Sequence, residues 1–358
     1  MNKNSRPTLS QVASLAGVST SSASLILNNR EGVSFTAETI ERVHTAAAQL
    51  GYMVKSSRSS RGGMLLDEHT IVVLAPTPIS PYYATLVQSI DQSARSCGFE
   101  TMVYYTYRDP QRENHLVTLL RKAPVAGVIF TMAPQAAEPV EELNRTVPVV
   151  VIGDRDRTLD VDTVETRNFV AGVMIARHLL QLGHTHIAYI STTLNSVNTA
   201  RTQRLEGLQQ TFREECPEGT ILVRSRDITP VEELNTTLVE HQVGFQLCQE
   251  CLKESNLTAF VAVNDMVAYG VMDCLLSNNH RIPEDYSVCA FDNNFPSRMT
   301  AVSLTTVDSH IEDKGHNAFD ILHTKICQSP GDAPAYITRI EYPHQLIVRG
   351  STAAPRIG

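Results

Sequence analysis

The side chains with the clearest capacity for chemistry lie in the run AGVSTSSASLILNN, which spans residues 16–29. At helical spacing, Ala23, Ile26 and Leu27 form an inner face. The opposite face carries hydroxyls, an amide and one aliphatic side chain: Thr20, Ser21, Ser24, Leu25 and Asn28. Such groups can hydrogen-bond phosphates and the edges of bases in a major groove. The run therefore predicts a short helix with one packed side and one side that can bind a nucleic acid.

Helix starts and a glycine turn position this face. Thr8 and Gln11 have the spacing of a capping box, and Gly17 is placed to end the helix that they begin. Ser19 is placed to cap the second helix and Thr36 to cap a third. The third helix has a predicted inner face of Ile40, Val43, Ala47 and Leu50. This order predicts a helix-turn-helix unit. A three-helix bundle without a ligand is the alternative, but exposed hydroxyls at the start of the second helix serve no packing purpose.

The rest of the sequence lacks the motifs of common enzymes. No G-x-G-x-x-G follows a predicted strand, no G-x-x-x-x-G-K-[ST] is present, and no nucleophile lies in a recognisable Ser/Cys–His–Asp motif. Cys248 and Cys251 form a lone CxxC pair in a helical pattern, which favours a helix face over a metal site. His184 and His186 are interpreted as cations at a helix C-terminus rather than metal ligands. We predict no catalytic residue, no metal site and no cofactor.

The composition is typical of folded domains. Hydrophobic residues make up 42% and charged residues 19% of 358 residues, a length that predicts two or three domains. The start, MNKNSRPTLS, lacks the apolar core of a secretory signal, and no stretch has the apolar length of a membrane span. Seven irregularly spaced cysteines are typical of reduced thiols. We therefore expect a cytoplasmic protein with no membrane partner.

The net charge of −8 is unevenly distributed. Residues 1–63 carry seven basic and three acidic side chains, a net charge of +4. The other 23 basic and 35 acidic side chains give the remainder −12. A basic head on an acidic body indicates an anionic partner for the head.

The segment TLSQVASLAGVSTSSASLILNN resembles the DNA-binding head of the LacI/GalR family of bacterial transcription regulators. Their pattern is roughly T-[IL]-x-D-V-A-x-x-A-G-V-S-x-x-T-V-S-x-V-L-N, and L-G-Y ends the third helix, as at residues 50–52. The sequence departs from it at Gln11 and at Ser22–Ala23. The resemblance implies base contacts by Thr20, Ser21 and Leu25. It implies phosphate contacts by Thr8, Ser19, Ser24, Asn28 and Thr36.

The segment after the head differs from the family. Its members follow L-G-Y with Pro-Asn and a leucine that wedges into the minor groove, whereas this chain reads KSSRSSRGG at residues 55–63. The serine- and glycine-rich text predicts a flexible linker. Its Arg58 and Arg61 also predict a basic segment that orders along DNA on binding. The two interpretations are compatible.

From Thr70 onward, predicted strands and helices alternate. Strands are predicted at TIVVLA, TMVYYT, VAGVIF, VPVVVIG, HIAYI, near 221, TAFVAV and YSVCAF. Helices are predicted at 82–97, 111–122, 138–144, 170–182, 200–215, 240–254 and 265–277. A strand near 303–307, a helix at 309–328 and strands at 335–341 and 343–348 are predicted to cross between two lobes. Nearly continuous apolar strands between amphipathic helices indicate an α/β fold with two parallel sheets.

Residues ~70–350 resemble the periplasmic-binding-protein-like effector domain of the same family, through PISPYY, HLLQLGHTHIAYI, NDMVAYG and IPEDYSVCAFDN. The predicted organisation is a helix-turn-helix domain at 1–54, a hinge or linker at 55–68 and a two-lobed effector-binding and dimerisation domain at 69–358. Lobe one is predicted at about 69–165 and 308–332, and lobe two at about 166–303 and 335–350.

The resemblance implies an effector site between the lobes, at the carboxyl ends of strands, where open α/β sheets bind ligands. Tyr83 would stack on a ring, and Arg204, Asn264 and Asp292 would hydrogen-bond hydroxyls. Ser80 and Asp154 are further candidates. The expected effector is a sugar, a sugar derivative or a nucleoside-like molecule. Arg167 replaces a family aspartate, which predicts either a cleft open to an acidic ligand or a solvent-exposed arginine.

Together these features predict a ligand-responsive, sequence-specific repressor of a carbohydrate-utilisation operon. It would bind a near-palindromic double-stranded operator as a homodimer, with a tetramer as an open alternative. A sugar-binding receptor of the periplasmic type without a DNA role is the second hypothesis. An α/β enzyme with an accessory head is the third, and it lacks supporting motifs.

Overall fold

The computed structural model describes residues 8–27, 35–50, 66–154, 159–195, 199–254, 256–328 and 336–356. The chain divides into two compact units, Met1–Leu65 and Leu66–Gly358. The first is called the head and the second the body below. In the part of the chain that the structure describes, no helix has both the length and the apolar character needed to cross a membrane.

The head consists of α1 (Leu9–Ala16), α2 (Thr20–Leu27) and α3 (Ala37–Leu50), as the sequence predicts. Thr8 and Gln11 form the expected capping box. Gly17 has a left-handed φ of 66°, which a residue with a side chain adopts only at a cost. Ser19 Oγ accepts a hydrogen bond from Ser22 N at 3.0 Å and caps α2. These local signals fix the turn between α1 and α2.

The core of the head is built from small and branched side chains: Val12, Ala13, Ala16, Ala23, Ile26, Val43, Ala46 and Ala47. The prediction that Ile40 faces inward is wrong, because its side chain is 39% exposed. The buried stripe of α3 runs through Val43, Ala46 and Ala47. Ile40 lies in the first turn of α3, beyond the stripe that the two eight-residue helices cover.

The body alternates strands and helices. In chain order these are β1 (Thr70–Ala75), α4 (Pro81–Ser96), β2 (Glu100–Tyr105), α5 (Pro110–Leu120), β3 (Gly127–Phe130), α6 (Ala137–Asn144), β4 (Val149–Asp154), β5 (Asp162–Thr166), α7 (Asn168–Leu182), β6 (His186–Thr192), α8 (Thr199–Glu215), β7 (Thr220–Arg226), α9 (Pro230–Asn235), α10 (Val239–Cys251), β8 (Ala259–Ala262), α11 (Asp265–Ser277), β9 (Ser287–Asp292), β10 (Thr305–Asp308), α12 (Ile311–Ile326), β11 (Arg339–Tyr342) and β12 (Gln345–Ile347).

Two six-stranded sheets form two lobes, which confirms the predicted α/β class. The sheet of the first lobe has the order β11-β5-β4-β3-β1-β2, and that of the second has the order β12-β10-β9-β8-β6-β7. Neighbouring strands are parallel except for β10 and β12. Buried apolar clusters cover the sheets, with two on the first lobe and one on the second. Parallel sheets of this kind need helices on both faces.

Within the described part of the body, the chain passes between the lobes at residues 166–168, 308–311 and 342–345. The prediction that lobe two resumes at 335 is therefore wrong. β11 pairs with β5 in the first sheet, with Ile340 beside Val164, and only β12 returns to the second sheet. A strand pattern identifies β11, but the sheet edge that it joins is decided by long-range pairing.

His184 differs from its sequence interpretation as a cation at a helix end. Its ring is buried, with Nδ1 2.8 Å from Thr258 Oγ1 and Nε2 2.8 Å from the carbonyl oxygen of Ala353. Burial lowers the pKa of His184, so the neutral ring links the strand edge to the C-terminal segment. Cys248 and Cys251 are free and lie on the buried side of α10, as predicted.

Candidate effector cleft and DNA-binding face

A cavity lies between the two lobes of the body, where the carboxyl ends of several strands meet. Of the residues that the sequence assigns to the effector, it brings together Ser80, Tyr83, Arg204, Asn264 and Asp292. Asp154 ends β4, and its side chain lies outside the described part of the structure. The cavity therefore collects residues that are far apart in the sequence, from Thr77 to Lys314.

Two tyrosines at the start of α4 form the aromatic wall. Pro81 is the first residue of α4, and Ser80 precedes it without capping the helix through its side chain. The rings of Tyr82 and Tyr83 meet edge to face, 5.0 Å apart. Burial raises the pKa of both phenols, so both are neutral. The wall offers ring surface together with two hydroxyls.

Arg204 lies on α8 and is fixed by several contacts. Its Nε donates to Asn168 Oδ1 at 2.8 Å, and one of its terminal nitrogens donates to the carbonyl oxygen of Val263 at 2.6 Å. The other lies 3.6 Å from Asp292 Oδ1. The guanidinium also lies over the ring of Phe291, 4.7 Å from its centre. Arg204 is therefore a rigid donor group that ends at the cavity.

The position of α8 depends on two glycines. A Cβ at Gly207 would lie 2.1 Å from the carbonyl oxygen of Phe169, and one at Gly172 would lie 2.1 Å from that of Arg204. α7 and α8 cross so closely that neither position has room for a side chain. This crossing brings the Arg204 backbone against α7 and directs Asn168 and Arg204 to the same cavity wall.

Asp292 ends β9 with a left-handed φ of 119° and is buried. Burial raises its pKa to about 7, and the Arg204 guanidinium opposes that rise. Asp265 lies behind it and accepts hydrogen bonds from Ser297 Oγ and Thr306 Oγ1, each at 2.7 Å. Burial also raises the pKa of Asp265, to about 6. Burial thus favours the neutral form of the Asp292 carboxyl, and the Arg204 guanidinium favours its charged form.

Asn264 both caps a helix and lines the cavity. Its Oδ1 accepts from Val267 N at 2.9 Å and so caps α11. Its Nδ2 donates to Glu240 Oε2 at 3.1 Å while the residue lines the cavity. The helix cap fixes the amide orientation that the cavity presents.

The cavity also contains charged residues that the sequence reasoning missed: Arg108, Arg201, Glu233, Glu240 and Lys314. Arg108 contacts Glu233 at 2.5 Å, and Arg201 lies 3.5 Å from Glu240. Lys314 Nζ donates to Tyr82 OH at 3.3 Å. Arg204 similarly lies near the carboxylate of Asp292, so each arginine that lines the cavity has a carboxylate within 4 Å.

One of the missed residues had a signal in the sequence. Lys314 lies on the stripe of α12 that also carries Ile311 and Ala318, and a lysine on an apolar face is unusual enough to mark a site. The alternative of Arg167 as a cleft charge is wrong. Its side chain is 51% exposed, and it pairs with Glu341 at 2.9 Å outside the cavity. The neighbouring Asn168 lines the cavity instead.

In the head, the residues assigned to bases lie on one side of α2. Thr20 and Ser21 are exposed, and Leu25 is half-buried, as is the phosphate candidate Ser24. The phosphate candidates Thr8, Ser19 and Thr36 are exposed at helix starts, where their hydroxyls also cap the helices. Asn28, Arg58 and Arg61 lie outside the described residues. Within the described ranges, no group of three or more His, Cys, Asp or Glu could hold a metal ion.

A helix-turn-helix head joined to a two-lobed binding body defines a class of ligand-responsive regulators. Residues 8–54 match the model for bacterial regulatory proteins of the lacI family, and residues 176–352 match the periplasmic binding protein-like domain. The chain belongs to the LacI family of bacterial transcription regulators.

Curated relatives extend along nearly the whole chain. The repressor PurR of Haemophilus influenzae (strain PittEE) is 28% identical over 347 residues, which cover 96% of this chain and 98% of the relative. The ribose operon repressor of Escherichia coli (strain K12) is 27% identical over 325 residues, which cover 90% of this chain and 93% of the relative. These relatives are transcriptional regulators, and the chain is a DNA-binding regulator rather than an enzyme.

Solved structures share the fold. A LacI-family regulator of Enterococcus faecium with bound ribose is 25% identical with a TM-score of 0.66, covering 80% of this chain and 100% of that one. The lac repressor dimer bound to operator and the anti-inducer ONPF is 23% identical with a TM-score of 0.67, covering 98% and 100%. The regulator CelR in complex with cellobiose is 23% identical with a TM-score of 0.65, covering 97% and 100%.

Proposed function

We propose that the protein is a repressor of a carbohydrate-utilisation operon that binds a near-palindromic operator as a homodimer. Its affinity for that operator would be set by a small molecule in the cleft of the body. The observation that carries the proposal is the joint presence of an exposed hydroxyl face on α2 and a polar and aromatic cleft between the lobes of the body. A regulator with this role acts in the cytoplasm, where its operator is found.

On the DNA side, each head reads one half-site through α2. Thr20 and Ser21 face base edges, and Leu25 offers apolar contact to a thymine methyl group. Thr8, Ser19, Ser24 and Thr36 contact phosphates, together with Asn28 and the linker residues Arg58 and Arg61. A two-fold symmetric protein matches a two-fold symmetric site, which is why a near-palindrome is expected.

On the effector side, the cleft suits an uncharged polyhydroxylated molecule such as a sugar or a nucleoside. Its arginines are paired with carboxylates, so they offer hydrogen bonds without a large excess of one charge. Tyr82 and Tyr83 supply ring surface for the apolar C–H groups of such a ligand. Relatives bind ribose and cellobiose, which agrees with a carbohydrate.

The two sites are coupled through the lobes. A ligand that binds the closed body more tightly than the open body shifts the equilibrium toward closure. In a dimer, that shift changes how the two heads are presented to one operator. A coupling of about 1–3 kcal/mol is typical of such systems and changes operator affinity by about 5- to 150-fold.

The full-length protein tests both parts. A thermal-shift screen with D-ribose, cellobiose, other sugars, sugar phosphates and nucleosides should find a ligand that raises the melting temperature, because binding only to the folded state stabilises it. Selection of operator fragments, followed by gel shift with and without that ligand, should give a ligand-dependent complex. A protein that binds a sugar but no double-stranded DNA would instead support the periplasmic-type receptor.

A further inference from the structure

The short helix α9 forms part of the cleft wall and is well defined in itself. Thr229 Oγ1 accepts from Glu232 N at 3.3 Å, and Glu232 Oε2 accepts from Thr229 N at 2.9 Å, so a capping box closes its first turn. Pro230 begins the helix, which a proline favours. Glu232 also binds Arg226 of β7 at 2.8 Å. α9 is therefore a self-contained turn that is attached to the second lobe.

The apolar side chains of α9 do not anchor it to the body. Val231 is 64% exposed and Leu234 is 62% exposed, and neither belongs to the apolar core of the second lobe. Burial of apolar surface is the main force that holds a helix on a domain. Because α9 lacks it, polar contacts decide where the helix lies.

The inward contact of α9 is made by Glu233, which is 8% exposed. Its Oε1 lies 2.5 Å from Arg108 of the first lobe. Its Oε2 is buried and has no hydrogen-bond partner among the described residues. A buried carboxylate with one direct ion-pair partner is held firmly, because losing that partner leaves a buried charge without a direct contact.

The first lobe presents Arg108 on a constrained loop. Tyr107 and Arg108 both have left-handed backbones, with φ of 52° and 54°. Two such residues in succession are costly and persist only where surrounding contacts fix them. Here Tyr107 N donates to the carbonyl oxygen of Pro76 at 2.8 Å, and Asp109 N donates to that of Thr106 at 3.0 Å. The loop holds Arg108 against the opposite lobe and near Tyr83 OH, 3.4 Å away.

We propose that Arg108 and Glu233 form a clamp between the lobes and that α9 is the movable wall of the cleft. The pair joins residues from different lobes, so it exists only when the cleft is closed. The ion pair thereby stabilises the closed cleft even without a ligand. Glu233 also positions the Arg108 guanidinium toward an effector bound in the cleft. This inference rests on the proposed function only in taking the cleft as the effector site.

Hydrogen–deuterium exchange on the full-length, ligand-free protein tests the clamp. Arg108→Gln should speed exchange in residues 230–238 by about tenfold, although Arg108 belongs to the other lobe. Exchange in residues 239–251, within α10, should stay unchanged. The matched control is Arg121→Gln, because Arg121 is also a first-lobe arginine but pairs with Glu142 inside that lobe. It should leave residues 230–238 as they are.

A double-mutant cycle separates the clamp from independent local effects. Glu233→Gln should speed exchange of α9 as much as Arg108→Gln does, and the double variant should exchange no faster than either single variant. Unchanged exchange in Arg108→Gln, or additive effects in the double variant, would overturn the clamp. No effector or DNA enters the experiment, so a failed clamp and a failed search for an effector remain separate results.

Discussion

Asp292 illustrates how one side chain can combine recognition with a cost to stability. It is buried at the end of β9, 3.6 Å from Arg204 and close to a second buried carboxyl, Asp265. Its charge is useful to a ligand with hydroxyl donors and unfavourable to the empty protein. Residues that bind ligands are often placed in such conflict with stability.

The pH dependence of stability should reveal this conflict. Burial raises the pKa of Asp292 to about 7 from 3.8, so the folded state binds the proton more tightly than the unfolded state does. The stability that the neutral carboxyl provides is present below pH 4 and is lost as the pH rises toward 7. In Asp292→Asn this loss is absent, so the difference in melting temperature, variant minus wild type, should increase from pH 4 to pH 7. Above pH 7 that difference should stay constant.

Differential scanning calorimetry across that pH range measures the difference. The effect is bounded by one proton, or about 1.4 kcal/mol per pH unit. Asp320→Asn, a change at an exposed position of α12, gives the baseline for the loss of one carboxylate. A difference between Asp292→Asn and the wild type that does not vary with pH would contradict the expected titration.

Thr20 and Ser21 provide a second test at the level of single residues. Each alanine substitution removes one hydroxyl from the exposed side of α2, and a single hydrogen bond contributes about 0.5–1.5 kcal/mol. Operator affinity should therefore fall by about two- to tenfold in Thr20→Ala and in Ser21→Ala, as measured by fluorescence anisotropy. Thr45→Ala makes the same chemical change on the exposed side of α3 and should leave affinity unchanged. Equal losses in all three variants would count against α2 as the reading helix.

At the scale of helices and strands, the crossing of α7 and α8 determines where the cleft residues lie. Gly172 and Gly207 allow the two backbones to approach until no Cβ fits between them. Arg204 and Asn168 lie on this crossing and reach the cleft together. The geometry of the site thus depends on residues that contribute no chemistry of their own.

Gly207→Ala should therefore harm both stability and the site. Its Cβ would meet the carbonyl oxygen of Phe169 at 2.1 Å, so the helices must separate. Overpacking of this kind costs about 1–3 kcal/mol, which should lower the melting temperature and weaken effector binding together. The neighbouring exposed change Glu206→Ala should do neither. A Gly207→Ala protein that melts like the wild type would show that the crossing is not as tight as described.

The sequence predicted most elements because their signals are local. Capping residues, glycines and apolar periods identified the head helices and the buried strands. It missed β5, because Asp162 and Glu165 are buried polar residues that interrupt the apolar pattern and are paired with Lys325 and Arg339 from distant segments. It missed α9 because that helix has no apolar inner face.

The residues of the cleft were predicted only in part. Tyr83, Arg204, Asn264 and Asp292 came from the resemblance to a family, and the cavity does bring them together. Arg108 and Glu233 are placed there by a loop and a short helix whose positions depend on contacts between the lobes. Such contacts leave no trace in the period or composition of either segment.

At the scale of the whole molecule, two compact units divide the work that we propose. The head carries the hydroxyl face of α2, and the cavity is lined entirely by residues of Leu66–Gly358. Each unit has its own apolar core. Removal of one unit therefore leaves the core of the other intact.

A chain without residues 1–65 should lose operator binding and retain effector binding. The reason is that the truncation removes α1, α2, α3 and the basic linker but none of the cavity lining. Gel shift and isothermal titration calorimetry measure the two affinities, with the full-length protein as the reference. A truncated body that still shifts operator DNA would contradict the division between the units.

The affinity of the full-length protein for DNA should also fall steeply with salt. Residues 1–63 carry a net charge of +4, and binding to phosphates releases counterions. The logarithm of the association constant should fall linearly with the logarithm of salt concentration. The slope should weaken by about one unit when Arg58 or Arg61 is changed to Gln, if that side chain contacts a phosphate. A slope near zero in the wild type would argue against a phosphate-bound head.

The three passages of the chain between the lobes have a consequence for how the protein is made. The first lobe is incomplete until its last two pieces, α12 and β11, leave the ribosome, and these follow nearly all of the second lobe. Until then, one side of β3 and β4 lacks the helix that covers it, and β5 is an open sheet edge. During synthesis, the first lobe is thus translated first but can complete its fold only after most of the second lobe has been made. Its partly covered sheet is the surface that we expect chaperones to protect.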